Sequence, residues 1–497
     1  MARTVILLLI AAAAFGETSL RRIFEERYAA RLAPLLCEAI SFRTEPGNKE
    51  AVAQQSRWLA QRAKELGLAW RDAGPVTEIE LAGPADAPVL GLVVHGDVQP
   101  AGDSGWTAPP FTCTVKDGYV YGRGSADDKG PLVQALLAMA SLRAAGGSRT
   151  HTVRLLVGSD EESDNRDLAT YLKTNKAPDL TLVLDSAFPV VVGEKAWDAL
   201  ELTAADPYRP REVPAGKWVI VEASSGIAAS IVPPQATARL RWSGDGFDAA
   251  VKSLCPGVVP EGYGCAARKA DNGAVLTVTG RAAHSGMNVE GGRNALVFLA
   301  NALRGKAAPS GAADLLEFAS MAGRDLEGAG LGLDQRDPLW GCYVVNVATL
   351  QPVDSKLQLT VNLRRIPPMT AGQIKAHLAR IAAGFNRERG TSLEMGGYFE
   401  DEPFVVPPDA KLVRRLLAIY KRATGEDARP AIAGGGTYAK RLPNAVAFGM
   451  WFPGKPYPGH DVDERIPITD LKRGAHVLLE ALQDLAFSVP IVEPLRP

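Results

Sequence analysis

The chain has 497 residues, including 49 glycines and 35 prolines; it is too long for one ordinary core and too near average usage for a low-complexity or disordered polymer. Its 55 basic and 56 acidic side chains leave a net charge of −1, so no global field favours nucleic acid or an anionic membrane. Two or three compact domains and small-molecule or peptide partners are expected.

The N-terminus, "MARTVILLLIAAAAFGETSL", carries Arg3, an apolar run from Val5 to Phe15 and small residues at Ala14 and Gly16. That layout predicts a secretory signal over residues 1–16 and a periplasmic or secreted protein without stable membrane association, because the run falls short of the ~20 residues a membrane span needs. Helical apolar spacing follows over residues 21–41 and 49–66. The stretches "APVLGLVVHGD", "HTVRLLVGSDEE" and "LTLVLDSAFP" then read as strands, with "GPLVQALLAMASLRAAGG" as a helix stopped by glycine. Strands alternating with helices predict an α/β domain, its mostly parallel mixed sheet covered by helices, over residues 17–190.

The texture changes near residue 190. Strand-like "WDALELTA" and "KWVIVEAS" lead to helices near 291–305 and 371–384, which predicts an inserted α+β domain over residues 191–395, long enough for two subdomains. The α/β texture resumes over residues 396–497 with a helix at 409–423, the loop "AIAGGGTYAK", a strand "AVAFGMWF" and a last helix from about Thr469 to Leu485.

Of the six histidines, His151, His377 and His476 lie in ordinary strand or helix surroundings, whereas His95, His284 and His460 sit at loop or strand ends beside glycine and acidic residues. Strand ends also carry Asp97, Glu161, Glu162 and Asp185. Asp127 and Asp128 precede the buried helix, where an aspartate would otherwise serve as a cap. Histidine, aspartate and glutamate gathered at the carboxyl ends of parallel strands suit divalent metals of the zinc type. Five cysteines leave at least one unpaired. A local disulfide between Cys255 and Cys265 and two free thiols both fit the sequence, while Cys37, Cys113 and Cys342 read as buried thiols.

In order along residues 90–465, the stretches "HGDVQP", "PPF", "DGYVYGRGSADDKGP", "GSDEES", "LDSAFP", "GEK", "GRAAHSG", "GGGTYAKRLPNAVAFG" and "GH" resemble the zinc-dependent aminoacylase, carboxypeptidase and dipeptidase family, most closely its bacterial dinuclear dipeptidase branch. The resemblance implies two Zn2+ ions, Co2+ and Mn2+ also being compatible with these ligand types, with His95 and Asp185 on one metal, Glu162 and His460 on the other and Asp127 bridging. It further implies that Asp97 accepts from His95, that Glu161 is the general base toward a metal-bridging hydroxide, that His284 stabilises the oxyanion, and that Asp128 holds no metal. Arg364 would bind the substrate carboxylate, although alignment on the following proline would choose Arg365 instead. Asn346, Gly435 and Gly436 would complete the pocket.

The expected activity is hydrolysis of dipeptides. Deacylation of N-acyl amino acids is the alternative within the same chemistry, and a non-catalytic peptide-binding homologue is the reading from another class. Family members that dimerise have a lid of about half this size, so the insertion is expected to serve as a lid over its own active site in a monomer.

Overall fold

The computed structural model describes residues 20–102, 105–163, 165–270, 273–455, 457, 459–491 and 494–495, so the expected signal at residues 1–16 lies outside the described residues. Among the described residues no helix is long and apolar enough to cross a membrane. The chain divides into two compact units. The first takes in the chain up to Gly193, Val405–Ala431 and everything from Thr437; the second is Glu194–Phe404 with Ile432–Gly436. The sequence placed those boundaries at 190 and 395, and the short glycine segment before Thr437 joins the second unit.

The first unit is built on a mixed sheet. The strands Ala69–Asp72, Thr77–Leu81, Thr152–Gly158, Val89–His95, Leu180–Val183 and Ala445–Ala447 follow one another across it. The last four run parallel and the first two antiparallel. In the strand Val89–His95, Leu90, Leu92, Val93 and Val94 are all buried. A parallel strand covered on both faces reads as a continuous apolar run, and each such side chain contributes about 1.5–3 kcal/mol of burial. The helix Lys129–Ala145 is buried through nearly its whole length and packs on the strands Val89–His95 and Thr152–Gly158. It therefore shows no single apolar stripe, as expected of a central helix. Ile468–Leu485 packs beside it.

The segment with helical apolar spacing over 21–41 forms two helices, Leu20–Arg27 and Leu32–Ile40, with a 3-10 turn at Ala29–Arg31 between them. Cysteine pairing also departs from the sequence reading: Cys37 and Cys113, expected as free thiols, form a disulfide. Seventy-six residues separate them, a distance over which sequence context carries no pairing signal. Cys255 is bonded to Cys265, and Cys342 is the free cysteine.

The second unit holds one eight-stranded sheet, in the order Gly264–Ala270, Gly273–Thr279, Gln235–Trp242, Trp218–Ser225, Val344–Val353, Lys356–Arg364, Trp197–Ala205 and Glu394–Asp401. Every neighbouring pair is antiparallel. The helices Ala295–Leu303, Gly311–Ala322 and Ala371–Arg389 pack on this sheet, and one apolar core joins them to it. That arrangement is the expected α+β insertion, with one large apolar core and a smaller cluster of Val232, Ala283 and Val289.

Candidate metal centre

Three parallel strands deliver acidic and imidazole groups to one edge of the first unit. His95 is the last residue of its strand and pairs in register with Gly158; the chain then continues from Gly158 into Glu161 and Glu162, and Asp185 lies two residues beyond Val183. Such strand ends are where ligand crevices form in α/β sheets. At Gly96 a Cβ would lie 2.0 Å from Gln55 Nε2, so a larger residue there would force that side chain to move. Thr44 Oγ1 donates to the Gly96 carbonyl at 2.7 Å, and the Gly96 N–H donates to the Gly158 carbonyl at 2.9 Å.

The donor atoms converge tightly. Those of His95, Glu161 and Asp185 lie within 4.8 Å of one another, as do those of His95, Asp127 and Glu162. Asp127 faces a different histidine with each oxygen: Oδ1 is 2.8 Å from His95 Nε2 and Oδ2 is 3.0 Å from His460 Nε2. His460 Nε2 is also 2.9 Å from Glu162 Oε1, and His95 Nε2 is 3.9 Å from Asp185 Oδ2. His460 reaches this position from a backbone at φ 67. Gln99 holds Glu162 from the side, donating to its carboxylate at 3.0 Å, and the Tyr457 hydroxyl donates to Asp127 Oδ2.

Electrostatically the cluster is short of positive charge. Burial, then the repulsion of neighbouring carboxylates such as Asp185, raises Glu161 well above the ordinary range, and burial with repulsion from Asp127 and Asp128 does the same to Asp185. Burial opposes charge on His95 and His460, yet Asp127 and the other carboxylates outweigh it and raise both. A nitrogen-and-oxygen donor set crowded with acids is the kind that divalent cations of the zinc type relieve. The residues present fit such a cation.

Asp97 touches both the His95 ring and the turn that carries Glu161 and Glu162. The ring Nδ1 of His95 is 3.0 Å from the Asp97 backbone carbonyl and 3.5 Å from its carboxylate, so the carbonyl is the closer partner. The carboxylate also accepts the backbone N–H groups of Glu161 at 3.3 Å and Glu162 at 2.9 Å, and thereby clamps the turn that presents both acids. Asp128, at the N-terminal boundary of the helix Lys129–Ala145, makes no side-chain cap hydrogen bond. Its Oδ2 accepts from the His95 backbone N–H at 3.1 Å.

The remaining candidates form a cluster inside the second unit. His284 is half-buried; its Nδ1 accepts from the Gly286 N–H at 3.3 Å, which leaves the ring proton of the neutral form on Nε2. Gly434 packs against this turn, where a Cβ would lie 2.1 Å from the Gly286 carbonyl; Gly435 approaches His284 and Gly436 is exposed. Arg364 and Arg365 have different surroundings. Arg365 is consumed by the buried Asp198, at 2.8 and 3.3 Å, and by Glu402 at 3.0 Å. Arg364 donates only to the hydroxyls of Ser285 and Ser230, and among the described residues no carboxylate lies within ion-pair distance of it. Asn346 spends its amide N–H groups on the carbonyls of Ala229 and Ile231, so it orders the loop beside His284 and has no donor left for a substrate.

With this geometry in hand, residues 91–484 match the model of Peptidase family M20/M25/M40. The chain belongs to that family. It is therefore a metallopeptidase, a hydrolase acting on peptide bonds. It is 30% identical over 402 residues to the Bacillus subtilis protein YtjP, provisionally named a dipeptidase, spanning 80% of this chain and 83% of that protein. It is 28% identical over 400 residues to the beta-Ala-Xaa dipeptidase of Lactobacillus delbrueckii subsp. lactis, covering 80% and 82%. Among solved structures, human carnosine dipeptidase 1 superimposes with a TM-score of 0.55 at 13% identity, over 93% of this chain and 97% of that one. The dipeptidase Dug1p of Saccharomyces cerevisiae does so at 0.56 and 13%, over 94% and 98%. At such identities the structural likeness speaks to the fold.

Several groups in this M20 peptidase escaped the sequence reading. Asp167 accepts the backbone N–H groups of Ser159 and Asp160 and the hydroxyl of Tyr438, so it anchors the start of the Glu161 turn. Tyr438 directly follows the "GGGT" motif, which was the one available signal. Nothing in the spacing marked Gln99 or Tyr457, because their partners lie 63 and 330 residues away.

Proposed function

We propose that this M20 peptidase is a secreted or periplasmic dinuclear metallodipeptidase. The observation that carries the reading is Asp127, whose two carboxylate oxygens each face one histidine of a buried donor cluster. In this reading His95 and Asp185 hold one zinc and Glu162 and His460 the other, with Asp127 between them. When bound, such ions polarise the scissile carbonyl and lower the pKa of a water.

The chain's own groups do the rest. Glu161 takes the proton of the attacking water and delivers it to the leaving amine, a role suited to a carboxyl whose oxygen lies within 4.8 Å of the His95 and Asp185 donor atoms. Asp97 keeps Glu161 and Glu162 in their relative places by holding their backbone. His284, with its ring proton on Nε2, is a donor for the developing oxyanion. Arg364, lowered to about 10 by burial and so still charged at neutral pH, takes the substrate carboxylate. Restriction to dipeptides is supported by the relatives named dipeptidases that span most of this chain. Two disulfides and the signal-like residues 1–16 support an oxidising, exported location. A monomer is proposed from the length of the insertion, to be checked by light scattering.

The test is a substrate screen on metal-reconstituted protein with metal quantified. Free dipeptides are expected to be cleaved, and Glu161→Gln is expected to abolish turnover while two metals remain bound. Exclusive cleavage of N-acetyl or N-succinyl amino acids would replace the dipeptidase reading with a deacylase. Fewer than two metals per active chain would remove Asp127 from its bridging role.

A further inference from the structure

One buried acid beside the centre has no part in the reaction described above. Glu464 is 1% exposed, and each of its carboxylate oxygens is saturated. Oε2 accepts from Arg123 Nη1 at 2.9 Å and from the Gly124 N–H at 3.0 Å; Oε1 accepts from the backbone N–H groups of Ala126 at 2.9 Å and Asp127 at 3.1 Å. Its own carbonyl takes the Gly122 N–H at 2.9 Å. The partner Arg123 is 2% exposed and donates to three carbonyls: Asp461 at 3.2 Å, Pro100 at 3.3 Å and His460 at 3.5 Å. Its guanidinium also lies 5.2 Å from the Trp106 ring centroid.

This pair joins segments that are 341 residues apart in the chain. One segment ends in Asp127 and the other contains His460; the antiparallel pairing of Tyr119–Tyr121 with Arg465–Pro467 holds their near ends together, and beyond it the stretches that reach Asp127 and His460 are irregular loops. A carboxylate that accepts a backbone N–H and is itself charge-paired holds that peptide more stiffly than a neutral acceptor could. The pair grips the main chain at Asp127 and His460 directly. Near His95 it reaches only the Pro100 carbonyl, and none of its bonds goes to Asp185 or its strand.

We propose that Arg123 and Glu464 are positioning residues that set the separation of Asp127 and His460 and so govern occupancy of the metal on the His460 side. The proposal rests on the dinuclear reading above. A Gln at position 464 keeps the volume but offers one acceptor oxygen where four donors now find two, and turns an amide toward N–H groups. The Asp127 peptide and, through Arg123, the His460 main chain then lose their anchor: the ion on the His460 side has both of these ligands displaced, whereas the other shares only Asp127 and keeps His95 and Asp185 on their strand ends.

The experiment compares wild type, Glu464→Gln and Arg123→Lys by zinc affinity in chelator competition, metal per chain after dialysis, and stepwise Co2+ titration followed by visible absorption. Far-UV circular dichroism and the melt of the metal-free protein report folding. Wild type is expected to bind two metals. In Glu464→Gln the second equivalent is expected to weaken roughly 10- to 100-fold, as alteration of outer partners commonly does, with the first changed less than about threefold. Stoichiometry after dialysis should fall from two to one, and the second phase of the Co2+ titration should vanish. Arg123→Lys, which keeps the charge but cannot span the two loops, should show the same selective loss, and serves if Glu464→Gln does not fold. Equal weakening of both equivalents, or of neither, in a folded variant overturns the positioning role alone. Wild type that takes up fewer than two metals overturns the metal-centre reading and this proposal with it.

Discussion

Replacing Arg365 by Met and Arg364 by Met, in separate variants, should give opposite phenotypes although the residues are adjacent. Arg365 neutralises Asp198, which is 0% exposed and which burial already pushes above the ordinary carboxylate range despite the pairing. Removing one partner of such a buried pair leaves an uncompensated charge and costs about 3–5 kcal/mol. For a unit of this size, at about 2–4 °C per kcal/mol, the melting temperature should fall by roughly 6–20 °C. The contact with Glu402, which is half-exposed, adds little.

Arg364 is also buried, but among the described residues its hydrogen-bond partners are the Ser285 and Ser230 hydroxyls. Its loss removes hydrogen bonds of about 1 kcal/mol while relieving the cost of burying a cation, so stability should change by about 1 kcal/mol or less. A lost charge-assisted fork to the substrate is worth about 3 kcal/mol, roughly a hundredfold in kcat/KM. That loss should appear for dipeptides with a free carboxylate and not for dipeptide amides. Thermal melts and paired kinetics on the two substrate types decide the matter. If Arg364→Met is the variant that melts early, or Arg365→Met the one that loses carboxylate discrimination while keeping its melting temperature, the assignment is reversed.

Three further outcomes are expected. Asp97→Asn leaves one of the backbone N–H groups of Glu161 and Glu162 without its acceptor, so kcat should fall roughly 10- to 100-fold with the circular dichroism spectrum intact; activity within about threefold of wild type would show that the clamp is dispensable. Cys37→Ser with Cys113→Ser opens a long covalent loop and should cost about 2–4 kcal/mol in denaturant unfolding, and an unchanged midpoint would refute this. His151 is lowered chiefly by burial, then by Arg415, against the pull of Asp179. The unfolded chain binds its proton first, so stability is complete above the ordinary histidine value of 6.5 and is lost as pH falls below it. His151→Gln should flatten that part of the stability curve, and parallel curves for the two proteins would contradict the assignment.

Much of the centre is legible in the chain because its chemistry is local. An apolar run that ends in His95, a second that ends in Glu161 and Glu162 and a third that ends near Asp185 state both the strand and what stands at its tip. Parallel strands must then bring those tips to one edge. The helix Lys129–Ala145 was legible for the same reason, its continuous apolar composition and glycine stop being properties of neighbours in sequence.

What the sequence determined by itself is which residue types gather and at which strand ends. Only the tertiary structure decided their partners. Arg364 and Arg365 are indistinguishable by type, and their fates differ because consecutive side chains at a strand end point to opposite sides, one to Asp198 and one to two serines. Cys37 found Cys113, the Asp97 carboxylate took the Glu161 turn as well as the His95 ring, and Glu464 reached back to the Asp127 loop. Each of these is a contact between segments far apart in the chain. Hydrogen-bond direction and burial select it in space, and residue order carries no record of either.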